Sequence, residues 1–294
     1  MFEGSIVAIV TPFKKDKVDE SAFKKLIEWH IKEGTNAIVP CGTTGESATL
    51  DYEEHHRVIE LTVKTVKGRL PVIAGTGANS TDEAIMITKR AMDVGADGAL
   101  LVSPYYNKPS QEGIYQHYKA IAESVKGFPL VLYNVPGRTA SNISPTTVAR
   151  LARIKNIVAI KEATGDMRQT SDLVRLCSKS KKFNIISGDD FTTFSMCMLG
   201  GKGVISVVAN VMPGAVSRMM AAIKSGDIDE ARKIHFMLEE LNGAMFIDSN
   251  PVPVKTALAM MGMIKEEFRL PLCRMTKENR AKLKNVLKKY GLIR

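Results

Sequence analysis

Eight short apolar runs recur along the chain, and each is followed by a loop and a segment with helical periodicity. The runs begin 19 to 35 residues apart and span residues 5–9, 37–40, 72–75, 98–103, 130–134, 157–161, 184–188 and 203–207. Because about 30 residues is the length of a βαβ unit, this spacing predicts a parallel sheet with helices on its faces.

The number of units decides between two parallel architectures. Eight units favour a closed (β/α)₈ TIM barrel over a doubly wound open sheet, which more often has about five to seven strands. Helix start signals fit this pattern, because Ser80 and Glu83 have the spacing of a capping box and Ser144 precedes Pro145. We therefore expect an α/β fold of the barrel type.

The apolar runs stop near residue 225, and only helical stripes continue. One stripe includes Leu238 and another Leu287, with a turn-rich segment at residues 250–253 between them. We expect a catalytic barrel over residues 1–225 and a C-terminal helical region over residues 226–294 that packs on it.

Composition and charge exclude several classes of protein. With 45% hydrophobic residues over 294 residues, the chain can bury a large core, but no stretch reaches the roughly 18 apolar residues of a membrane span. The start shows no secretory signal pattern, so the expected location is the cytoplasm. Of the net charge of +10, +7 lies in the last thirty residues, where ten Lys or Arg face three Glu. A solvated helix face explains this charge, so we expect no nucleic-acid partner, and a non-catalytic anion or nucleic-acid binder stays the alternative.

Metal and nucleotide motifs are missing from the sequence. The five histidines form no HxH or HExxH pattern, and the four cysteines lie far apart without a CxxC. Asp189 and Asp190 end the seventh run without a third acidic ligand, which is weak evidence for magnesium. We expect chemistry without a metal or a cofactor.

Polar residues at the carboxyl ends of the runs are the catalytic candidates, because barrel enzymes carry their sites at that end. The sixth run ends in Lys161, and strand alternation places Ile157, Ala159 and Lys161 on one face, toward the barrel interior. Burial favours the uncharged amine, which is the form that attacks a carbonyl to give a Schiff base. An ion pair with Glu162, or a lysine that extends into solvent, stays open as a plainer role.

Neighbouring runs end in groups that suit the same chemistry. Tyr133 is the second-last residue of the fifth run. Its phenol, on an adjacent strand, can transfer protons to and from a substrate on Lys161, or can simply fill the barrel. Thr43 and Thr44 lie between glycines after the second run, in a plain turn or one that presents N–H groups to a carboxylate. Arg138 follows the fifth run and suits a second carboxylate, or a surface ion pair.

Longer motifs make the chain resemble a known family over essentially its whole length. They cover residues 4–12, 42–47, 103–107, 133–139, 160–163, 187–189 and 203–206. They resemble the pyruvate-dependent class I aldolase superfamily and, within it, the dihydrodipicolinate synthase family. The resemblance implies a metal-independent lyase that condenses pyruvate with L-aspartate 4-semialdehyde to 4-hydroxy-tetrahydrodipicolinate, in lysine and diaminopimelate biosynthesis.

The resemblance also assigns roles to individual residues. Lys161 would form the imine with pyruvate, and seven other residues would surround it. By position these are Thr43, Tyr106 and Tyr133 as a proton relay, Thr44 and Arg138 as contacts to the two carboxylates, and Gly188 and Ile205 as backbone groups that line the pocket. Tyr106 would cross into a neighbouring subunit's site, which implies a homo-oligomer, usually a tetramer built as a dimer of dimers.

Two questions stay open after the resemblance. The alternative activity is that of a related pyruvate aldolase, such as N-acetylneuraminate lyase or a keto-deoxy sugar acid aldolase, which shares the lysine and tyrosine but lacks the segment around Arg138. An effector pocket for lysine is the second question. Five residues resemble it, but the first of them departs from the histidine that lysine-inhibited members often carry: Tyr52, His55, Asn79, Glu83 and Tyr105.

Overall fold

Eight parallel strands form the centre of the molecule in the computed structural model, which describes residues 2–177 and 182–294. The strands are β1 (Gly4–Ala8), β2 (Ala37–Val39), β3 (Ile73–Gly75), β4 (Gly98–Val102), β5 (Leu130–Asn134), β6 (Ile157–Glu162), β7 (Asn184–Ser187) and β8 (Gly203–Ser206). Every predicted run lies within one residue of a strand at both ends, because strands buried on both faces give near-continuous apolar runs. A two-stranded hairpin between Phe13 and Val18 was not predicted.

The sheet closes on itself. Its strands lie in the order β2-β1-β8-β7-β6-β5-β4-β3. The two ends meet through a parallel bridge between Ile38 and Val72, and the Gly75 N–H donates to the Pro40 carbonyl at 2.9 Å. The predicted (β/α)₈ barrel is therefore confirmed, and the carboxyl ends of all eight strands surround one opening.

Over residues 2–177 and 182–294, twelve helices pack around and beyond the barrel. They are α1 (Glu20–Lys32), α2 (Tyr52–Val66), α3 (Thr81–Asp93), α4 (Gln111–Ser124), α5 (Pro136–Thr139), α6 (Pro145–Leu151), α7 (Met167–Cys177), α8 (Thr193–Met198), α9 (Pro213–Ser225), α10 (Ile228–Ala244), α11 (Val252–Met260) and α12 (Lys277–Lys289). Both predicted caps are confirmed, because Ser80 caps α3 and Ser144 caps α6 through side-chain hydrogen bonds. None of the described helices is long and apolar enough to cross a membrane.

The barrel separates two apolar cores. The inner one contains Ile6, Val39 and Ala159, whereas the outer one fills the space between the strands and the helices. The prediction that Ile157 shares the inner face is wrong, since Ile157 packs in the outer core. Leu130 of β5 pairs with Ile157, but the next residue of β5 pairs with Ala159, so β6 contains one extra residue at this point. Because of this extra residue, Ala159 faces inward and Ile157 does not.

The C-terminal region packs helix on helix against the barrel. The α12 helix buries Leu283 and Leu287, and the Tyr290 hydroxyl just after it donates to the Met237 carbonyl of α10 at 2.6 Å. The segment at residues 250–253, predicted as a turn, is partly helical, because α11 begins at Val252. This helix was missed because it is buried almost all round and so shows no polar face.

Candidate active site

Lys161 lies on the inner face of β6, at the opening of the barrel. Its side chain is buried, with 5% of the residue exposed. It pairs in register with Tyr133 of β5, and its Nζ lies 4.2 Å from the centroid of the Tyr133 ring. The structure thus brings the predicted amine and the predicted phenol together, and the option of a lysine extended into solvent is excluded.

Glu162 does not pair with Lys161, although it is the next residue. Its carboxylate points to the other face of the sheet and accepts hydrogen bonds from the side-chain amides of Asn134 at 3.0 Å and Gln169 at 3.1 Å and from the Thr164 N–H at 2.8 Å. Neutral donors thus satisfy this buried carboxylate, and an ion pair between Lys161 and Glu162 is excluded.

Gly188 follows β7 and supports the alkyl chain of Lys161. A Cβ atom at this position would lie 2.9 Å from both Cγ and Cε of Lys161 and 2.6 Å from Cβ of Ala163. Such distances are shorter than van der Waals contact, so only glycine allows the lysine its observed path. Ile205 of β8 is buried in the inner core of the same barrel.

Replacement of Gly188 by alanine is expected to move the amine while leaving the fold intact. The added methyl group pushes Lys161 from its path, and misplacement by about 1 Å costs on the order of 100-fold in rate. Steady-state kinetics measure the loss. Gly243→Ala is the matched control, since a Cβ there meets only the Phe191 ring at 4.0 Å. Equal kcat in both variants would contradict this account.

Thr43 and Thr44 lie in a 3₁₀ turn after β2. The Gly45 N–H donates to the Gly42 carbonyl at 3.0 Å, and the Glu46 N–H donates to that of Thr43 at 3.1 Å. These bonds close the turn without the N–H groups of the two threonines, which begin it. The Thr44 side chain is buried, and the carboxylate contact at this turn stays a prediction.

Asn250 is a site residue that the sequence pattern did not indicate. Its side-chain Nδ2 donates to Oγ1 of Thr44 at 3.1 Å, and its carbonyl oxygen accepts from Nη2 of Arg138 at 3.5 Å. It therefore connects two predicted carboxylate contacts that come from different strand ends. The only local signal was its place in a turn-rich segment.

A buried ion pair lies behind the threonine turn and was also missed. The carboxylate of Glu46 pairs with Nζ of Lys255 from α11, and both side chains are 0% exposed. The ammonium lies 4.2 Å from the Phe13 ring and 5.3 Å from the Phe268 ring. Burial lowers the pKa of Lys255, and the nearby Glu46 opposes that shift. The pair fixes the turn to the C-terminal region.

Tyr106 extends away from its own chain. It is 90% exposed and has a left-handed backbone, with φ of 72°. The structure of one chain therefore does not bring Tyr106 against Lys161 or Tyr133. Its position follows β4, at the same end of the barrel as the other strand-end residues.

Four of the five predicted effector residues form two hydrogen-bonded pairs at the surface. The Tyr52 hydroxyl donates to Oε1 of Glu83 at 3.0 Å, which raises the pKa of Tyr52, and Asn79 Nδ2 donates to the Tyr105 carbonyl at 3.2 Å. His55 is buried, and burial lowers its pKa to about 4. The effector role stays a prediction.

The acidic pair after β7 has a structural role. Asp190 is buried and accepts hydrogen bonds from the N–H groups of Val207 and Val208 at 2.9 and 3.0 Å, while burial raises its pKa. Asp189 accepts from the Thr192 hydroxyl at 3.0 Å. Among the described residues, no three or more His, Cys, Asp or Glu side chains form a group that could hold a metal ion.

Comparison with known proteins gives one consistent result. The model of the dihydrodipicolinate synthetase family matches residues 1–290. The 4-hydroxy-tetrahydrodipicolinate synthase of Thermodesulfovibrio yellowstonii is 66% identical over 294 residues, which is all of both chains. The crystal structure of dihydrodipicolinate synthase from Aquifex aeolicus is 52% identical, with a TM-score of 0.97 over 99% of each chain. The enzyme from Acinetobacter baumannii, solved in complex with pyruvate, is 51% identical, with a TM-score of 0.96 over all of both chains.

Proposed function

The chain belongs to the dihydrodipicolinate synthetase family, and we propose that it condenses pyruvate with L-aspartate 4-semialdehyde to give 4-hydroxy-tetrahydrodipicolinate. The observation that carries the proposal is the amine of Lys161, which is buried at the barrel opening beside the ring of Tyr133. The reaction is that of a Schiff-base-forming lyase of lysine and diaminopimelate biosynthesis.

Imine formation is the first step. The Lys161 amine attacks C2 of pyruvate, and the resulting carbinolamine loses its hydroxyl as water. Proton transfer to and from that oxygen needs an acid-base group within reach, which commonly contributes about 100-fold or more to the rate. Tyr133, on the neighbouring strand, has this role.

Carbon–carbon bond formation follows from the imine. The imine draws electrons from the methyl carbon of pyruvate, so loss of a methyl proton gives an enamine. The enamine carbon attacks the aldehyde carbon of the semialdehyde, whose oxygen takes a proton. The amine of the semialdehyde then attacks C2 and displaces Lys161, which closes the ring and restores the free lysine.

The two carboxylates are held at different strand ends. Thr43 completes the proton relay and Thr44 contacts the carboxylate of pyruvate, supported by the N–H groups that begin their turn. Arg138 holds the carboxylate of the semialdehyde, because a guanidinium matches the two oxygens of a carboxylate. Gly188 and Ile205 line the pocket around Lys161.

A homo-oligomer completes the site in this proposal. Tyr106 joins the relay of a neighbouring subunit, and the assembly is a tetramer built as a dimer of dimers. Tyr106 is 90% exposed in the single chain and so is free to contact a neighbouring subunit, which supports this arrangement.

An assay with both substrates tests the function. We expect product formation from pyruvate and L-aspartate 4-semialdehyde, and borohydride reduction in the presence of pyruvate should add the mass of the reduced adduct to Lys161. N-acetylneuraminate and keto-deoxy sugar acids are the comparison substrates. A higher kcat/KM with a sugar acid, or an adduct on another residue, would contradict the proposal.

A further inference from the structure

We propose that Asn250 is a positioning residue, which sets the direction of the Thr44 hydroxyl and holds Arg138 beside it. The proposal rests on the proposed function, in which Thr44 and Arg138 contact the carboxylates of the two substrates. Asn250 lies 206 residues after Thr44, between α10 and α11, and contacts each of the two residues through a different group.

The side chain of Asn250 controls the hydroxyl. Its Nδ2 donates to Oγ1 of Thr44 at 3.1 Å in a buried contact. A hydroxyl has one proton to donate and two lone pairs that accept. Because Thr44 accepts from Asn250, its proton is available to another acceptor. The carboxylate of pyruvate is an acceptor without a proton, and hydrogen bonds to an ionised acceptor are stronger than neutral ones.

The main chain of Asn250 controls the guanidinium. Nη2 of Arg138 donates to the Asn250 carbonyl oxygen at 3.5 Å, which is the only hydrogen bond of that guanidinium to the described residues. A guanidinium has five N–H groups, so the others stay available to a carboxylate. The contact directs an otherwise exposed arginine toward the residue that also holds Thr44.

The second polar atom of the Asn250 side chain lacks a partner that a ligand could supply. Its Oδ1 is buried and has no hydrogen-bond partner among the described residues. A buried acceptor without a donor is unfavourable, so a donor on the bound substrate, or a water, fits this position. The buried pair of Glu46 and Lys255 fixes the same segment to the threonine turn, so Asn250 keeps its place.

Asn250→Asp separates this role from a packing role. The side chain keeps its shape, but an ionised carboxylate can only accept hydrogen bonds, so the Thr44 proton turns toward it and away from pyruvate. Loss of a charge-assisted hydrogen bond predicts a rise of about 10-fold to 100-fold in the KM for pyruvate. The KM for the semialdehyde should change little, because a main-chain carbonyl holds Arg138.

A double-mutant cycle gives a second measurement. Asn250→Ala should raise the KM for pyruvate in the wild-type background but not in a Thr44→Val background, where no hydroxyl is left to orient. The pyruvate dependence of borohydride trapping at Lys161 should show the same pattern without the second substrate. Asn242→Ala, in a buried asparagine of α10, is the matched control and should leave both KM values unchanged.

The outcomes separate the two proposals. If the unmodified protein makes no product from the two substrates, the proposed function fails. If it is active and Asn250→Asp keeps the wild-type KM for pyruvate, the positioning role is overturned. Independent effects of Asn250→Ala and Thr44→Val also overturn it. Should the aspartate variant fail to fold, the alanine variant and its cycle decide.

Discussion

Lys161→Met is expected to abolish both synthesis and imine trapping while the protein stays folded. Methionine keeps an unbranched chain of similar length above Gly188, but it has no amine. Because imine formation is the step that lets pyruvate become a carbon nucleophile, kcat should fall by on the order of 10⁴-fold to 10⁶-fold, the scale seen when a covalent nucleophile is removed.

The fold should tolerate this change because the amine has no ion-pair partner to leave behind. Among the described residues Lys161 makes no salt bridge, and its Nζ lies 4.2 Å from the centroid of the Tyr133 ring. Circular dichroism and thermal unfolding should therefore resemble those of the wild type. Mass spectrometry after treatment with pyruvate and borohydride should find no adduct.

Lys202→Met is the matched control, since Lys202 is an exposed lysine just before β8. It should keep wild-type kcat and the adduct on Lys161. An adduct in the Lys161→Met protein, or kcat within tenfold of the wild type, would show that another amine carries the reaction.

The sequence was sufficient for the barrel because its signal is local. A strand buried on both faces needs apolar residues at nearly every position, so each of β1 to β8 is visible as a continuous run. Lys161 and Tyr133 were found for a related reason. A charged or phenolic group at the end of such a run stands out against the apolar residues before it.

The contacts that fix the site could not be predicted in this way. Thr44 and Asn250 are 206 residues apart, and Glu46 and Lys255 are 209 apart. A residue pattern within one strand or helix does not predict a contact between residues more than 200 positions apart. Lys255 is also chemically misleading, because a lone lysine in a helix ordinarily lies in solvent, and only the tertiary structure places it at 0% exposure.

The prediction of which β6 side chains face the barrel interior was wrong at Ile157. It assumed a regular ladder, and the register shift beside Leu130 moved Ile157 to the outer core. Residues after the shift, Ala159 and Lys161, face the interior as predicted. Whether a residue comes before or after the register shift, and not its residue type, therefore decides which face of the sheet it lies on.

Lys255→Met is expected to cost about 3–5 kcal/mol of the free energy of unfolding, because it leaves the buried carboxylate of Glu46 without its cation. Within the part of the chain that the structure describes, one hydrogen bond to that carboxylate remains, from the Arg269 N–H at 3.3 Å. Thermal unfolding should therefore occur on the order of 10 °C lower. Because Glu46 ends the turn that carries Thr43 and Thr44, the KM for pyruvate should rise as well.

The double variant Glu46→Gln/Lys255→Met separates charge from packing. It removes both charges, so no buried ion is left unpaired, and the Phe13 and Phe268 rings can pack on the methionine. We expect it to regain most of the stability lost in Lys255→Met, since an uncharged replacement of a buried ion pair is often neutral. Urea unfolding of the wild type, the two single variants Glu46→Gln and Lys255→Met, and the double variant measures the coupling between the two positions.

An exposed pair provides the scale for this comparison. Lys64 and Glu60 form an ion pair one turn apart on α2, and Lys64 is 65% exposed. Lys64→Met should change the free energy of unfolding by less than about 0.5 kcal/mol, because solvent screens such pairs. If Lys255→Met is as mild as Lys64→Met, or if the double variant is no more stable than Lys255→Met, then the buried charge does not hold the threonine turn. Packing of α11 alone would then have to explain why the C-terminal region reaches the active site.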